Sequence, residues 1–200
     1  DMEGNPYFYG LSSHENVEIK LYNKANPLKP WKTMGRMHDK YLIADGKIYI
    51  LGGRNTYNYF LGDFPGHKNF DRDVLVVCDE PQKDNSVNQL WNYFETIWEQ
   101  EDCRYFHNSK KLADRQSVKK AVLELQEGYQ QYFEVNKEKI CDTDYADETF
   151  ETEKITLLSN PIHTQAKEPV VWYQLGELMK NAKERVKIHT PYIICNDMMY

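Results

Sequence analysis

His38 and Lys40 stand two residues apart and Asp45 follows, giving the pattern H-x-K-x4-D. On an extended strand, residues two apart point to the same side. The imidazole and the ammonium therefore share one face, while Met37, Asp39 and Tyr41 take the other. Such a pair makes a poor core and a useful anion site. An imidazole attacks phosphorus or shuttles protons near neutral pH. An ammonium meets the non-bridging phosphate oxygens as their charge grows in the transition state. Asp45 falls at a turn, where it caps backbone amides or holds the strand ends, and is the least chemical of the three.

Two further positions belong with this pair. Gly52-Gly53 leaves backbone N–H groups unobstructed for a phosphate oxygen, and the short amide of Asn55 adds another donor beyond them. Asp73, in the run Asp71-Arg72-Asp73, opens a later apolar stretch. A carboxylate there suits the second ring nitrogen of His38, fixing the tautomer and stabilising the imidazolium.

The surrounding pattern predicts the elements that hold these residues. Val17–Tyr22, Met37–Ala44, Lys47–Leu51 and Asp73–Cys78 read as strands, and Asp45-Gly46 between the second and third is a strong hairpin signal. Ser86–Glu99 reads as an amphipathic helix with Val87, Leu90, Trp91, Phe94, Ile97 and Trp98 inward, and Ser86 with Gln89 resembles a capping box. A second helix, about 117–135, carries Val118, Val122, Leu125, Tyr129 and Tyr132 on one stripe. Residues 101–153 read as a helical and acidic connector after a first unit, 1–100. From 154 to 200 an α/β rhythm restarts: a strand at Ile155–Leu158, a helix at Val170–Lys183 and a strand at Val186–His189 leading into Pro191-Tyr192. That predicts a parallel pair with a helical crossover. The expected class is α/β, a sheet flanked by helices. A lone β-α-β piece cannot cover both faces of its sheet, so the chain reads as a fragment.

Composition narrows the partners. The net charge of −6 argues against a broad nucleic-acid interface, which needs a basic surface. Cys78, Cys103, Cys141 and Cys195 fit no C-x2-C spacing and read as free thiols. The chain opens on Asp1, so it reads as a processed or excised piece, with no secretory signal and no apolar run near the roughly 20 residues that span a bilayer.

The segments H-D-K-Y-L-I-A-D and G-K-I-Y-I-L-G-G-R-N resemble the signature of the phospholipase D superfamily, especially its bacterial cardiolipin synthase-like branch. The likeness continues upstream in V-E-I-K-L-Y-N and downstream in D-R-D-V-L-V-V, and resumes at V-K-I-H-T-P-Y (186–192), which resembles an early strand of the second repeat. The resemblance implies two fused repeats sharing one site, a phosphohistidine intermediate and no metal or other cofactor. It casts His38 as nucleophile (the reverse assignment, as acid, remaining open), Lys40, Gly53 and Asn55 as phosphate-binding and Asp45 as the acid of the motif. The family often has Ser where Gly53 stands, and the branch an aromatic where Arg72 stands.

No second H-x-K-x4-D occurs in the chain, and His14, His67, His107, His163 and His189 all lack a Lys two residues on. In-line displacement puts nucleophile and acid on opposite sides of phosphorus. The resemblance thus implies a second motif beyond Tyr200 or, as the weaker option, on a homodimer partner. The chain alone is expected to be inactive. The substrate expected is a phospholipid or another phosphodiester, in a bacterial, membrane-associated parent protein. A nuclease and a non-catalytic phosphate-binding module are the competing readings. The aromatic run Tyr57, Tyr59, Phe60 and Phe64 either touches a membrane or acyl chain or packs under the sheet.

Overall fold

The hairpin forms where Asp45-Gly46 places it. β2 (Tyr41–Ala44) and β3 (Ile48–Gly52) pair antiparallel, with Tyr41 opposite Leu51 and Ile43 opposite Tyr49. Asp45 and Gly46 take φ of 53° and 65°, and the Lys47 amide donates to the Ala44 carbonyl at 3.0 Å. Positive φ at two successive positions is what a tight hairpin turn demands, and Asp-Gly tolerates it. β4 (Asp73–Val77) adds to the other edge of β3, with Gly52 opposite Asp73, completing an antiparallel three-stranded sheet. The structure is a computed structural model that describes residues 3–57, 59–61, 65–78, 84–164 and 168–190.

One face of this sheet is covered by α2 (Ser86–Trp98). Tyr49 and Val76, opposite each other in register, pack with Val87 and Leu90, all buried, and Tyr41, Ile43, Leu51 and Tyr93 close around them. Each fully buried aliphatic side chain here is worth roughly 1.5–3 kcal/mol. The buried Tyr49 hydroxyl donates to Ser86 Oγ at 3.2 Å, so its polar end is satisfied. Asn85 caps α2 by accepting from the Asn88 amide at 2.8 Å, in place of the Ser86–Gln89 box expected from sequence. Trp91 also departs from the expected inward face. It is exposed and donates to Glu95 one turn on.

A second, two-stranded sheet pairs β1 (Lys20–Tyr22) with β5 (Cys103–Tyr105), antiparallel. Residues 101–153 therefore contribute a strand, α3 (Lys110–Ala113) and α4 (Gln116–Cys141). α1 (Pro6–Ser12), capped by Asn5, lies on α4, and a Cβ on Gly10 would come 2.8 Å from Val122 Cγ2. That close approach buries Val118 and Ala121. It ends there. Leu125, Tyr129 and Tyr132, expected inward, stay exposed because α1 covers only the first turns.

Two compact units divide the chain, Asp1–Leu157 with Ile162–Gln165 and the remainder from Leu158 on. The second contains α5 (Val170–Lys180), started where the Val171 amide donates to Asn160 Oδ1 at 3.0 Å. The parallel β-α-β expected over 154–200 is not formed among the described residues. Ile155–Leu158 and Val186–His189 are irregular, because a strand exists through its ladder partner and neither stretch has one. Pro191-Tyr192 lies outside the described residues. The class is mixed α/β, with small antiparallel sheets and helices. Cys78, Cys103 and Cys141 are free thiols, and Cys195 lies outside the described residues. Among the described residues no helix is long and apolar enough to cross a membrane.

Candidate functional site

β2 begins only at Tyr41, so His38 and Lys40 sit just before the regular strand. The ladder still reaches them, because the Gly52 amide donates to the Lys40 carbonyl at 3.2 Å. Extended backbone then brings the two side chains together: Lys40 Nζ lies 2.7 Å from His38 Nδ1 and 2.5 Å from the His38 carbonyl oxygen. An ammonium only donates, so in this contact the Nδ1 of His38 is the acceptor. His38 is exposed and Lys40 half-buried.

Lys40 and Asn55 line one open cleft of about 880 Å³, with Met37, Asp39, Tyr41 and Arg54. The walls beyond are aromatic, from Tyr57, Tyr59, Phe60 and Phe94. Asn55 is half-buried and its side-chain amide makes no hydrogen bond among the described residues, which leaves it available to a ligand. Tyr57 and Tyr59 are exposed, with ring centroids 4.5 Å apart, so these two rings do not pack under the sheet, while Phe60 is half-buried. Phe64 lies outside the described residues.

The carboxylates expected nearby are placed differently. Asp45 occupies the far end of the hairpin, about 17 Å of extended strand from Lys40. Asp73 accepts from Arg54 Nε at 2.6 Å. Its carboxylate fills the space over Gly52, where a Cβ would come 1.9 Å from Asp73 Oδ1, and Asp71 does the same over Gly53 at 2.6 Å from Oδ2. The two glycines thus admit two carboxylates to their backbone, and Gly53 faces Asp71.

Arg54 went unread in the sequence as a site residue. Besides Asp73 it donates from Nη1 to the Phe60 carbonyl (3.0 Å) and from Nη2 to the Asp71 carbonyl (2.9 Å), tying both limbs of the 55–72 loop to the end of β3. The available signal was charge order: one Arg directly after Gly-Gly, and Asp71 and Asp73 at the start of the next apolar run. Asp39 and Tyr93 were also missed. Tyr93 on α2 donates to Asp39 Oδ2 at 2.6 Å, which anchors the start of the motif to the helix. Burial, then the Asp39 carboxylate, raise the Tyr93 phenol well above the usual tyrosine range, and the same two causes push Tyr41 up to about 12. Both phenols remain protonated, with their ring centroids 6.2 Å apart.

No protein-family model matches the chain, and no solved structure matches it significantly. The chain is similar to an uncharacterized protein of Helicobacter pylori (strain ATCC 700392 / 26695), at 24% identity over 212 aligned positions. That alignment covers 92% of this chain and 39% of the relative, so the chain spans well under half the length of the protein it matches.

Proposed function

We propose that this chain carries one half of a phospholipase D-type phosphodiesterase or phosphatidyltransferase site, acting on a phospholipid through a phosphohistidine. The observation that carries this reading is the contact of Lys40 Nζ with His38 Nδ1 at 2.7 Å, with Lys40 also lining the cleft that holds the Asn55 amide, which makes no hydrogen bond among the described residues. When a phosphodiester enters, the ammonium turns from the imidazole to a non-bridging oxygen and Asn55 donates to the phosphate. The freed imidazole nitrogen attacks phosphorus, and the P–O bond to the leaving alcohol breaks. The alcohol takes its proton from the histidine of a second H-x-K motif. That histidine then removes a proton from water or an acceptor alcohol, which displaces His38 and closes the cycle. The aromatic walls suit the apolar part of a lipid better than a polyanionic strand, and the net charge of −6 favours the same choice.

The test uses a chromogenic phosphodiester. A verified monomer of this chain should turn it over negligibly, while a protein holding this chain and a second H-x-K-x4-D should do so and trap an acid-labile phosphohistidine at His38. Full turnover by the monomer, or trapping that survives His38→Asn, would remove the two-motif mechanism.

A further inference from the structure

Directly before the motif, Leu28, Trp31, Met34 and Met37 recur at every third residue. The middle of this run is a 3-10 helix, Pro30–Met34, in which positions three apart eclipse, so Trp31 and Met34 share one side. Leu28 is 84% exposed, Trp31 72% and Met34 87%. Large apolar side chains held that far into water are costly unless something covers them.

The stripe is held outward rather than left loose. Asn23, at a φ of 46°, donates its side-chain amide to the carbonyls of Lys32 (2.6 Å) and Gly35 (2.7 Å). Lys32 pairs with Asp102 at 3.0 Å, and Asp102 also accepts from Thr164 Oγ1. Gly35 is buried so close to Thr164 that a Cβ would meet its Cα at 2.8 Å. Lys32 and Gly35 make these inward contacts, while Leu28, Trp31 and Met34 stand out in solvent.

Charge indicates what covers them. Residues 24–40 hold Lys24, Lys29, Lys32, Arg36 and Lys40 against Asp39 in a chain whose total is −6; Lys24 pairs with Glu3 and Lys32 with Asp102, which leaves Lys29 and Arg36 at the apolar side chains. Lys29 and Arg36 are exposed and form no ion pair among the described residues. Trp, Leu and Met flanked by unpaired Lys and Arg match an interfacial membrane contact, with the apolar tips roughly 5–10 Å into the headgroup region. A protein interface fits less well. Lysine is depleted there, and a few side chains on a short turn fall far below the roughly 800 Å² per partner that a stable complex buries.

We infer that the Leu28–Met37 segment docks this chain onto an anionic lipid surface through Leu28, Trp31 and Met34, with Lys29 and Arg36 on the phosphates. Met37, three residues past that helix, lines the cleft that Lys40 and Asn55 share, so docking sets that cleft at the bilayer surface. The inference goes beyond the phosphodiester reading and does not need turnover.

Co-sedimentation of the whole chain with vesicles of phosphatidylcholine, alone and mixed with phosphatidylglycerol, tests it. Binding should require phosphatidylglycerol and weaken with salt. Lys29→Glu with Arg36→Glu should lower partition by about 25-fold or more, at about fivefold for each basic residue near the surface. Trp31→Ser with Met34→Ser should lower it roughly tenfold at unchanged circular dichroism. Vesicles should also shift Trp31 emission to the blue, a change absent in Trp31→Phe. The inference is overturned by no binding to the anionic vesicles, by binding that either double variant leaves intact, or by self-association that buries Trp31 instead. Because no catalysis is read, failure here leaves His38 untouched, and an inert His38 leaves the docking surface standing.

Discussion

The two ends of the β2–β3 hairpin carry members of a single sequence motif and do different work. At the turn, Asp45 and Gly46 have positive φ and open space around them. At the open end, His38 and Lys40 touch, Asn55 is uncommitted, and Arg54, Asp71 and Asp73 crowd Gly52-Gly53. Spacing in the chain therefore does not imply nearness in the site. The x4 stretch is Y-L-I-A, a strand that separates aspartate from histidine by its full length.

The largest expected difference between the ends is catalytic. In a protein holding both motifs, His38→Asn should lower kcat at least about a thousandfold, as loss of a nucleophile does. Asp45→Asn should stay within about tenfold, its effect arising through the turn. Steady-state assays of the two variants side by side check this, and equal losses would erase the distinction.

Next in size is packing. Gly52→Ala puts a methyl onto Asp73 Oδ1 and near the Asp73 Cα, so it should destabilise by about 1–3 kcal/mol in urea denaturation. Gly46→Ala meets no atom within 4 Å and suffers only from its φ of 65°, about 1 kcal/mol. A reversed order would mean that Asp73 moves aside freely.

Smaller again is the Arg54 tie. The guanidinium is about a third exposed, so screening leaves the Arg54–Asp73 pair about 1 kcal/mol at most. The clearer readout is local. In Arg54→Met the Asn69 amide, bonded to the Tyr59 carbonyl, should lose hydrogen-exchange protection while the Tyr49 amide keeps it.

The smallest effect is on alkaline stability. Tyr41 and Tyr93 hold their protons in the folded state past the pH at which the unfolded chain releases them. The contribution of Tyr41 is complete below about pH 10 and falls as pH rises through about 12, the unfolded state then binding fewer protons, and that of Tyr93 falls in the same direction. Denaturation series above pH 10 should show that fall, and Tyr93→Phe should make it shallower.

Much of the first unit was legible in the sequence, because period-two and period-three-to-four patterns near a turn signal are local information. β2, β3, β4 and α2 stand close to where the pattern put them. The strands expected at 155–158 and 186–189 did not form, since an apolar run becomes a strand only when a partner accepts its backbone bonds. β5 was invisible for the same reason in reverse: Cys103–Tyr105 has no alternation, yet it pairs with β1 from more than 80 positions away. Three of the five stripe residues on α4 are exposed because the seven-residue α1 covers only its first turns.

For the site, residue types and spacing determined by themselves that His38 and Lys40 would share a side, and that Asn55 would come just past the returning strand. Those relations depend on the strand repeat and a two-residue turn, which local sequence encodes. Only the tertiary structure decided where Asp71, Asp73 and Arg54 go, that Asp39 is bound by Tyr93 from α2, and that Leu28, Trp31 and Met34 face outward. Each of these depends on a contact between residues distant in the chain, and pairings of that kind are settled by packing and charge in three dimensions.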